Sequence, residues 1–265
     1  CVVLVLAGLA GCEVSVSGVG EDSPSEMMSV LLKNADAGDA EAQLKLGVLY
    51  YTGCGVKQDT YLAIHLIKMA AAQCNIDALF TLKAIYIKEY WRDDLGMSFH
   101  SRYTGKDFAE GSPLRAQADQ GDSYAQLFLA MLANGAEIVP NQPGFASLSW
   151  RSHSFNYEVE KELLEKSAAA SNVHGMFYLA EFHRAQSMSG MIEREECDAF
   201  KWYEKAASLG HPFAQYFLGI GYINGTFRED ITFPGPMGKS HLTRDDKKAF
   251  YWLSKAASKN IPEAL

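Results

Sequence analysis

The chain repeats itself, and this constrains its fold more than any other feature. The stretch Ala37-Gly38-Asp39-Ala40-Glu41-Ala42-Gln43-Leu44-Lys45-Leu46-Gly47-Val48-Leu49-Tyr50 returns as Leu209-Gly210-His211-Pro212-Phe213-Ala214-Gln215-Tyr216-Phe217-Leu218-Gly219-Ile220-Gly221-Tyr222. Weaker copies align on Ala78 with Leu82 and Tyr86, on Ala125 with Leu129, and on Gly175 with Leu179. A second pattern alternates with the first. It reads Ala199-Phe200-Lys201-Trp202-Tyr203-Glu204-Lys205-Ala206-Ala207 and Ala249-Phe250-Tyr251-Trp252-Leu253-Ser254-Lys255-Ala256-Ala257, with a looser copy at Ala63 to Ala71 that has Leu66 in the Trp position. Within each segment apolar residues recur at i, i+4 and i+7 or i+8, one stripe along a helix. Each unit is thus a helix pair that cannot bury its apolar face alone, and stacking the pairs makes one domain.

The motif Gly-x-x-x-Ala-x-x-x-Leu-Gly-x-x-Tyr, the Gly53-Cys54-Gly55-Val56 run, Asp59 and the Trp-x-x-Lys-Ala-Ala helix together resemble the Sel1-like repeat, a relative of the tetratricopeptide repeat. The resemblance runs from about residue 37 to the end. It implies an all-α fold, an α-solenoid of paired antiparallel helices wound into a right-handed superhelix. Ala42, Gly47, Ala63 and Ala70 are small where two helices would cross, and Trp202 and Trp252 are expected to fill the space between neighbouring units. Gly38, Gly121 and Gly210 fall where second helices end, the place for a left-handed cap. Ser23-Pro24-Ser25-Glu26 has the form of a helix start, and the helix it opens, to about Ala37, caps the stack. The expected organisation is therefore a signal-peptide remnant at 1–11, a lipidated Cys and tether at 12–22, and a solenoid at 23–265. That solenoid has a cap helix, five helix pairs and a truncated sixth unit beginning at Ala264-Leu265.

The irregularities of the repeat point at a surface. The spacings between Ala42, Ala78, Ala125, Gly175, Ala214 and Ala264 are 36, 47, 50, 39 and 50 residues. Against a 36-residue unit the excess falls between the first and second helix of a unit, so the insertions gather on one edge. They carry Trp91, Phe99, His100 and Tyr103, then Phe145, Trp150, His153, Phe155 and Tyr157, then Phe227 and Phe233. Three residues after the repeat Ala, the resemblance implies a polar residue on a concave face. Here the series is Lys45, Thr81, Phe128, Tyr178 and Phe217. Phe128, Tyr178 and Phe217, with Trp91, Trp150 and Phe233 on the insertions, are the candidate anchors for a partner. The opposing reading is that these aromatics pack inward. The second helix of the second unit, near Phe108 to Gln120, contains Gly111 and Pro113 and is expected to be short or bent.

Ahead of the repeats, Val2 to Ala10 is an uncharged apolar run too short to span a bilayer, which takes about 20 residues. The run suits the core of a secretory signal. Leu9-Ala10-Gly11-Cys12 looks like the lipobox of bacterial lipoproteins, in which Cys12 is acylated, and the sequence is expected to begin inside the signal. An ordinary secretory signal is the alternative. Glu13 to Asp22, rich in Gly, Ser and acid, reads as a flexible tether of roughly 15–20 Å. Resemblance to lipoproteins without Asp after the Cys implies the outer membrane, facing the periplasm.

No constellation of residues in the sequence supports catalysis. Cys54 and Cys74 flank one helix and would stand about 18 Å apart, beyond the roughly 7 Å reach of a disulfide. Gly238-Lys239-Ser240 lacks the earlier Gly of a phosphate-binding loop. His174 and His183 are out of phase for a shared metal, and His183 occupies the repeat Tyr position. No catalytic residues, metal or cofactor are therefore expected. With a net charge of −8, neither nucleic acid nor an anionic membrane surface is an expected partner; the membrane is reached through the lipid anchor alone. The function expected is a non-catalytic protein-protein interaction module in the bacterial envelope, in its sharpest form an immunity protein against a toxic enzyme delivered to the periplasm. An envelope scaffold or signalling adaptor, a weak hydrolase of cell-wall-related substrates and, without the lipobox, a cytoplasmic adaptor are the alternatives.

Overall fold

The computed structural model describes residues 24–90, 110–133, 157–188, 193–225 and 244–259. Among the described residues every regular element is a helix, eleven in all. The all-α solenoid of helix pairs read from the repeat is the fold of this chain. None of these helices is long and apolar enough to cross a membrane.

The chain divides into two compact units. The first holds α1 (Pro24–Asp36), α2 (Ala40–Thr52), α3 (Thr60–Ala72) and α4 (Ile76–Tyr90), each packed on the next. The second holds α5 (Pro113–Asp119), α6 (Ser123–Ala133), α7 (Tyr157–Ala169), α8 (Val173–Met188), α9 (Glu193–Ser208), α10 (Pro212–Asn224) and α11 (Asp246–Ala257), again packed in succession. In repeat terms α2, α4, α6, α8 and α10 are first helices; α3, α5, α7, α9 and α11 are second helices.

Among the described residues the joints between successive repeats recur with little change. Where a second helix, or α1, hands over to the next first helix, one residue turns left-handed: Gly38, Cys74, Gly121, Ser171 and Gly210. At the first of these, Gly38 N–H bonds Ala35 O and Asp39 N–H bonds Asn34 O, both at 3.0 Å. This is the two-bond closure that satisfies orphan carbonyls at a helix end. Gly enters this conformation without the steric cost that Cys74 and Ser171 bear.

The residue after each turn then caps the next helix. Asp39, Asn75, Asp122 and Asn172 accept backbone N–H groups through side-chain oxygens, and His211 does so through Nδ1. Such a cap contributes about 1 kcal/mol. A third tie recurs: buried Gln43, Gln126 and Gln215 donate to the carbonyls of Ala35, Ala118 and Ala207 at 3.2, 3.0 and 3.1 Å.

The small residues of the motif lie at crossings. A Cβ on Gly47 would lie 2.6 Å from Ile67 Cγ1 and 3.1 Å from the Ala63 carbonyl oxygen. On Gly219 it would meet Leu253 Cγ at 2.5 Å. The turn within a pair is also repeated. Asp59 N–H bonds Tyr50 O at 2.9 Å, and Asp245 N–H bonds Tyr222 O at 3.0 Å. The second pair makes the same closure although its helices lie farther apart in sequence, so its insertion leaves the joint intact.

Two expectations meet the structure differently. Helix α5 is short, with seven residues, because Pro113 stands at its first turn behind the Ser112 cap. Trp202 and Trp252, expected as fillers, are only half-buried. Lys205 Nζ lies 4.1 Å from the Trp202 ring centroid and Lys255 Nζ 5.4 Å from that of Trp252. In α9 the next residue, Tyr203, fills the interior instead.

Candidate functional site

Of the residues singled out in the sequence, Cys12, Trp91, Trp150 and Phe233 lie outside the described residues. Phe128, Tyr178 and Phe217 are described, and the expectation that they meet solvent is corrected. They are 0%, 5% and 3% exposed. The reason is packing. Phe217 lies 5.6 Å from the ring of Tyr203 and 6.2 Å from that of Phe177, with the Arg184 guanidinium 5.5 Å from its centroid. Tyr178 meets Phe177 edge-on at 5.4 Å, and Phe128 lies 6.1 Å from Tyr124. Burying a large ring removes enough apolar surface from water to stabilise the fold by about 1.5–3 kcal/mol. These rings belong to the core and offer no open anchoring surface.

Around them α8, α9 and α10 assemble a cluster that the sequence reading missed. Arg184 Nη2 bonds Glu181 Oε2 at 2.7 Å, and Nε approaches Oε1 at 3.4 Å. The hydroxyl of Tyr203 donates to the same carboxylate. All three side chains are buried. Removing two charges from water costs several kcal/mol each, so this group holds only because the carboxylate is met by both a guanidinium and a phenol. Burial, and next the Glu181 charge, raise the hydroxyls of Tyr178 and Tyr203 above the usual phenol range and keep them protonated.

Beside this group runs a histidine pair. His211 Nδ1 accepts the Ala214 N–H at 3.3 Å, which places its proton on Nε2. Nε2 then donates to His174 Nδ1 at 3.1 Å. The Phe177 ring stacks on His211 at 4.3 Å. Burial first, then the neighbouring His174, push the His211 imidazole well below its ordinary pKa, so it is neutral here. His183, by contrast, is a buried core residue edge-on to Phe182, in keeping with its place at the repeat Tyr position.

Both His211 nitrogens, His174 Nδ1 and the Glu181 carboxylate are bonded within the cluster or to a backbone cap. Among the described residues no group of three or more His, Cys, Asp or Glu gathers as a metal site. Two signals in the sequence could have revealed the cluster. Glu181 and Arg184 are the two Asp/Glu/Lys/Arg residues of their first helix and stand three apart, and His211 aligns with the capping residues Asp39 and Asp122. Among the described residues the exposed aromatics are on second helices: Tyr61 of α3, 88% exposed, and Phe250 and Tyr251 of α11, 75% and 51% exposed.

The Sel1 repeat model matches residues 40–73, 173–211, 212–232 and 237–261, so the chain carries Sel1 repeats at these four places. Similar solved structures include a protective antigen of uropathogenic Escherichia coli strains displaying an SLR fold (24% identity, TM-score 0.47, 89% of this chain and 42% of that one). They also include a Sel1 repeat protein from Oxalobacter formigenes (17%, 0.45, 90% and 78%) and an immunity protein from Pseudomonas aeruginosa (15%, 0.42, 98% and 83%). This chain thus spans less than half the first of these. At such identities and scores the likenesses decide nothing about function. Sel1 repeats are in general non-catalytic scaffolds for protein-protein interaction.

Proposed function

We propose that this chain is a non-catalytic binding protein for a protein partner, held in the bacterial envelope by a lipid on Cys12 and facing the periplasm. The observation that carries the binding role is the use to which the repeat puts its side chains. His174, Glu181, Arg184, Tyr203 and His211 are consumed in packing, while Tyr61, Phe250 and Tyr251 stand in water on second helices. Aromatic rings on an open surface are among the side chains that anchor protein interfaces.

The anchor is supported by the Leu9-Ala10-Gly11-Cys12 run ahead of the tether from Glu13 to Asp22. Cys12→Ser in the full precursor should move the protein from the membrane to the soluble fraction; a variant that stays with the membrane overturns the anchor. The partner within this reading is a toxic enzyme that reaches the periplasm, supported by sequence insertions that carry the aromatics Trp91, Trp150 and Phe233. Crosslinking in cells followed by purification of the pair gives the test. The captured protein should be an enzyme whose activity falls to background at one equivalent of this chain. Capture of a protein whose activity is unaffected would assign the chain to scaffolding or signalling instead.

A further inference from the structure

Three repeat-equivalent positions on the second helices meet solvent. On α3 they hold Tyr61, His65 and Met69, and on α11 Lys247, Tyr251 and Lys255, all exposed. Successive positions lie four residues apart and so share one face of the helix. The same positions are open on α3, which has a helix packed on either side. The stripe on α11 is therefore an outward face of the repeat and owes nothing to the place of α11 in the chain.

The charge on this face is unlike that of the other second helices. On α7 Lys166 pairs with Glu162 at 2.6 Å, and on α9 Lys201 pairs with Asp198 at 3.0 Å. Residues 244–259 hold five cations, Arg244, Lys247, Lys248, Lys255 and Lys259, against two carboxylates, in a chain whose net charge is −8. Both carboxylates are occupied. Asp246 pairs with Arg244 at 2.9 Å, and Asp245 accepts the backbone N–H groups of Lys247 and Lys248 at 3.1 and 3.0 Å. Among the described residues no carboxylate pairs with the ammonium of Lys247 or Lys255.

Between these two cations stand Phe250 and Tyr251, both exposed, with Lys255 Nζ 4.5 Å from the Tyr251 ring centroid. Eight residues at about 1.5 Å each set Lys247 and Lys255 about 12 Å apart along the helix axis. An open apolar patch rimmed by charge marks an interaction surface.

We infer that this face of α11 docks an acidic segment of the protein partner, a helix with carboxylates about two turns apart and an apolar side chain between them. The inference rests on the reading of the chain as a binding protein. The carboxylates meet Lys247 and Lys255, and the apolar side chain covers Phe250 and Tyr251. The excess of acid over the rest of the chain repels such a segment, so the field of the molecule steers it to α11.

The probe is a synthetic helical peptide of about 15 residues, long enough to hold a helix. It has two Glu eight positions apart and a Leu midway between them. Carbodiimide joins its carboxylates to lysine amines of the full folded chain, and mass spectrometry counts the joined lysines. Lys247 and Lys255 should be joined on the order of 10-fold more than the exposed Lys33 and Lys57, and the preference should fade in high salt. Phe250→Ser with Tyr251→Ser should lower joining at both lysines on the order of 10-fold, with helix content unchanged because both rings are exposed. Joining spread evenly over the exposed lysines overturns the inference, and so does a preference that survives loss of both rings. A Cys12→Ser chain that binds phosphatidylglycerol vesicles through Lys247 and Lys255 and leaves the peptide free overturns it in favour of a lipid surface. Each of these failures strikes the partner's chemistry alone. The binding role itself falls only if crosslinking in cells captures no protein.

Discussion

The pair α2–α3 and the group α8–α10 are built on one repeat, yet their interiors differ. In α2–α3 the crossing is apolar and tight: Gly47 against Ile67 and Ala63. In the same register Lys45 stays outside, paired with Glu41. In α8–α10 the position of Ile67 holds Tyr203, that of Lys45 holds Tyr178 and Phe217, and a buried Glu181–Arg184 pair joins them. The joints are nevertheless the same: a left-handed residue, a capping side chain, and a buried Gln bonded to the preceding helix at Gln43 and at Gln215. The repeat frame therefore lies in its backbone closures and small residues. What fills the interior can change from hydrocarbon to ionised groups without altering the frame.

The comparison breaks most readily at Arg184. Arg184→Met leaves Glu181 buried without its cation and should lower unfolding free energy in urea by about 3–5 kcal/mol. Replacing the whole group, Glu181→Met with Arg184→Met and Tyr203→Phe, should return stability to within about 2 kcal/mol of the parent, because no polar group is then stranded. In the apolar pair the corresponding weak point is Gly47. Gly47→Ala forces Ile67 and the Ala63 backbone apart and should cost about 1–3 kcal/mol.

The two regions should also part company with acid. His211 is held neutral by burial and by His174, so its folded pKa lies below the ordinary value of 6.5. Above 6.5 both folded and unfolded chains have it neutral and its contribution is complete. As pH falls from 6.5 toward the lowered folded value, the unfolded chain gains a proton that the folded chain refuses. Stability then drops by up to about 1.4 kcal/mol per pH unit from this group. His211→Asn keeps a capping acceptor and removes the proton site, so its melting temperature should vary less between pH 7 and pH 5 than the parent's. The smallest effect concerns a joint. Ser171→Gly relieves a left-handed residue that bears a Cβ and should raise stability by about 1 kcal/mol, read from the melting temperature.

The frame was legible because it is written in residue types that have one use. Gly38, Gly121 and Gly210 marked the turns, the Ala and Gly positions marked the crossings, and Pro113 foretold a short α5. Cys74 and Ser171 hid two further turns, since neither residue favours the conformation it adopts. The interior was less legible. Phe128, Tyr178 and Phe217 were assigned outward by register, but register gives a direction and leaves the depth of packing open. A ring long enough to reach its neighbours is drawn inward by the surface it removes from water. The His174–His211 pair was invisible to spacing along one helix, because its partners come from two different elements 37 residues apart.

The central claim is that the buried cluster of α8–α10 serves packing and that binding belongs to the outward surface. Its most direct test is the affinity of the crosslinked partner for the variant with Glu181→Met, Arg184→Met and Tyr203→Phe, set beside Phe250→Ala. The account predicts that the cluster variant binds within about 2-fold of the parent, whereas loss of the exposed ring costs about 2 kcal/mol, roughly 30-fold. A cluster variant that melts like the parent but no longer binds, with Phe250→Ala unaffected, would contradict it.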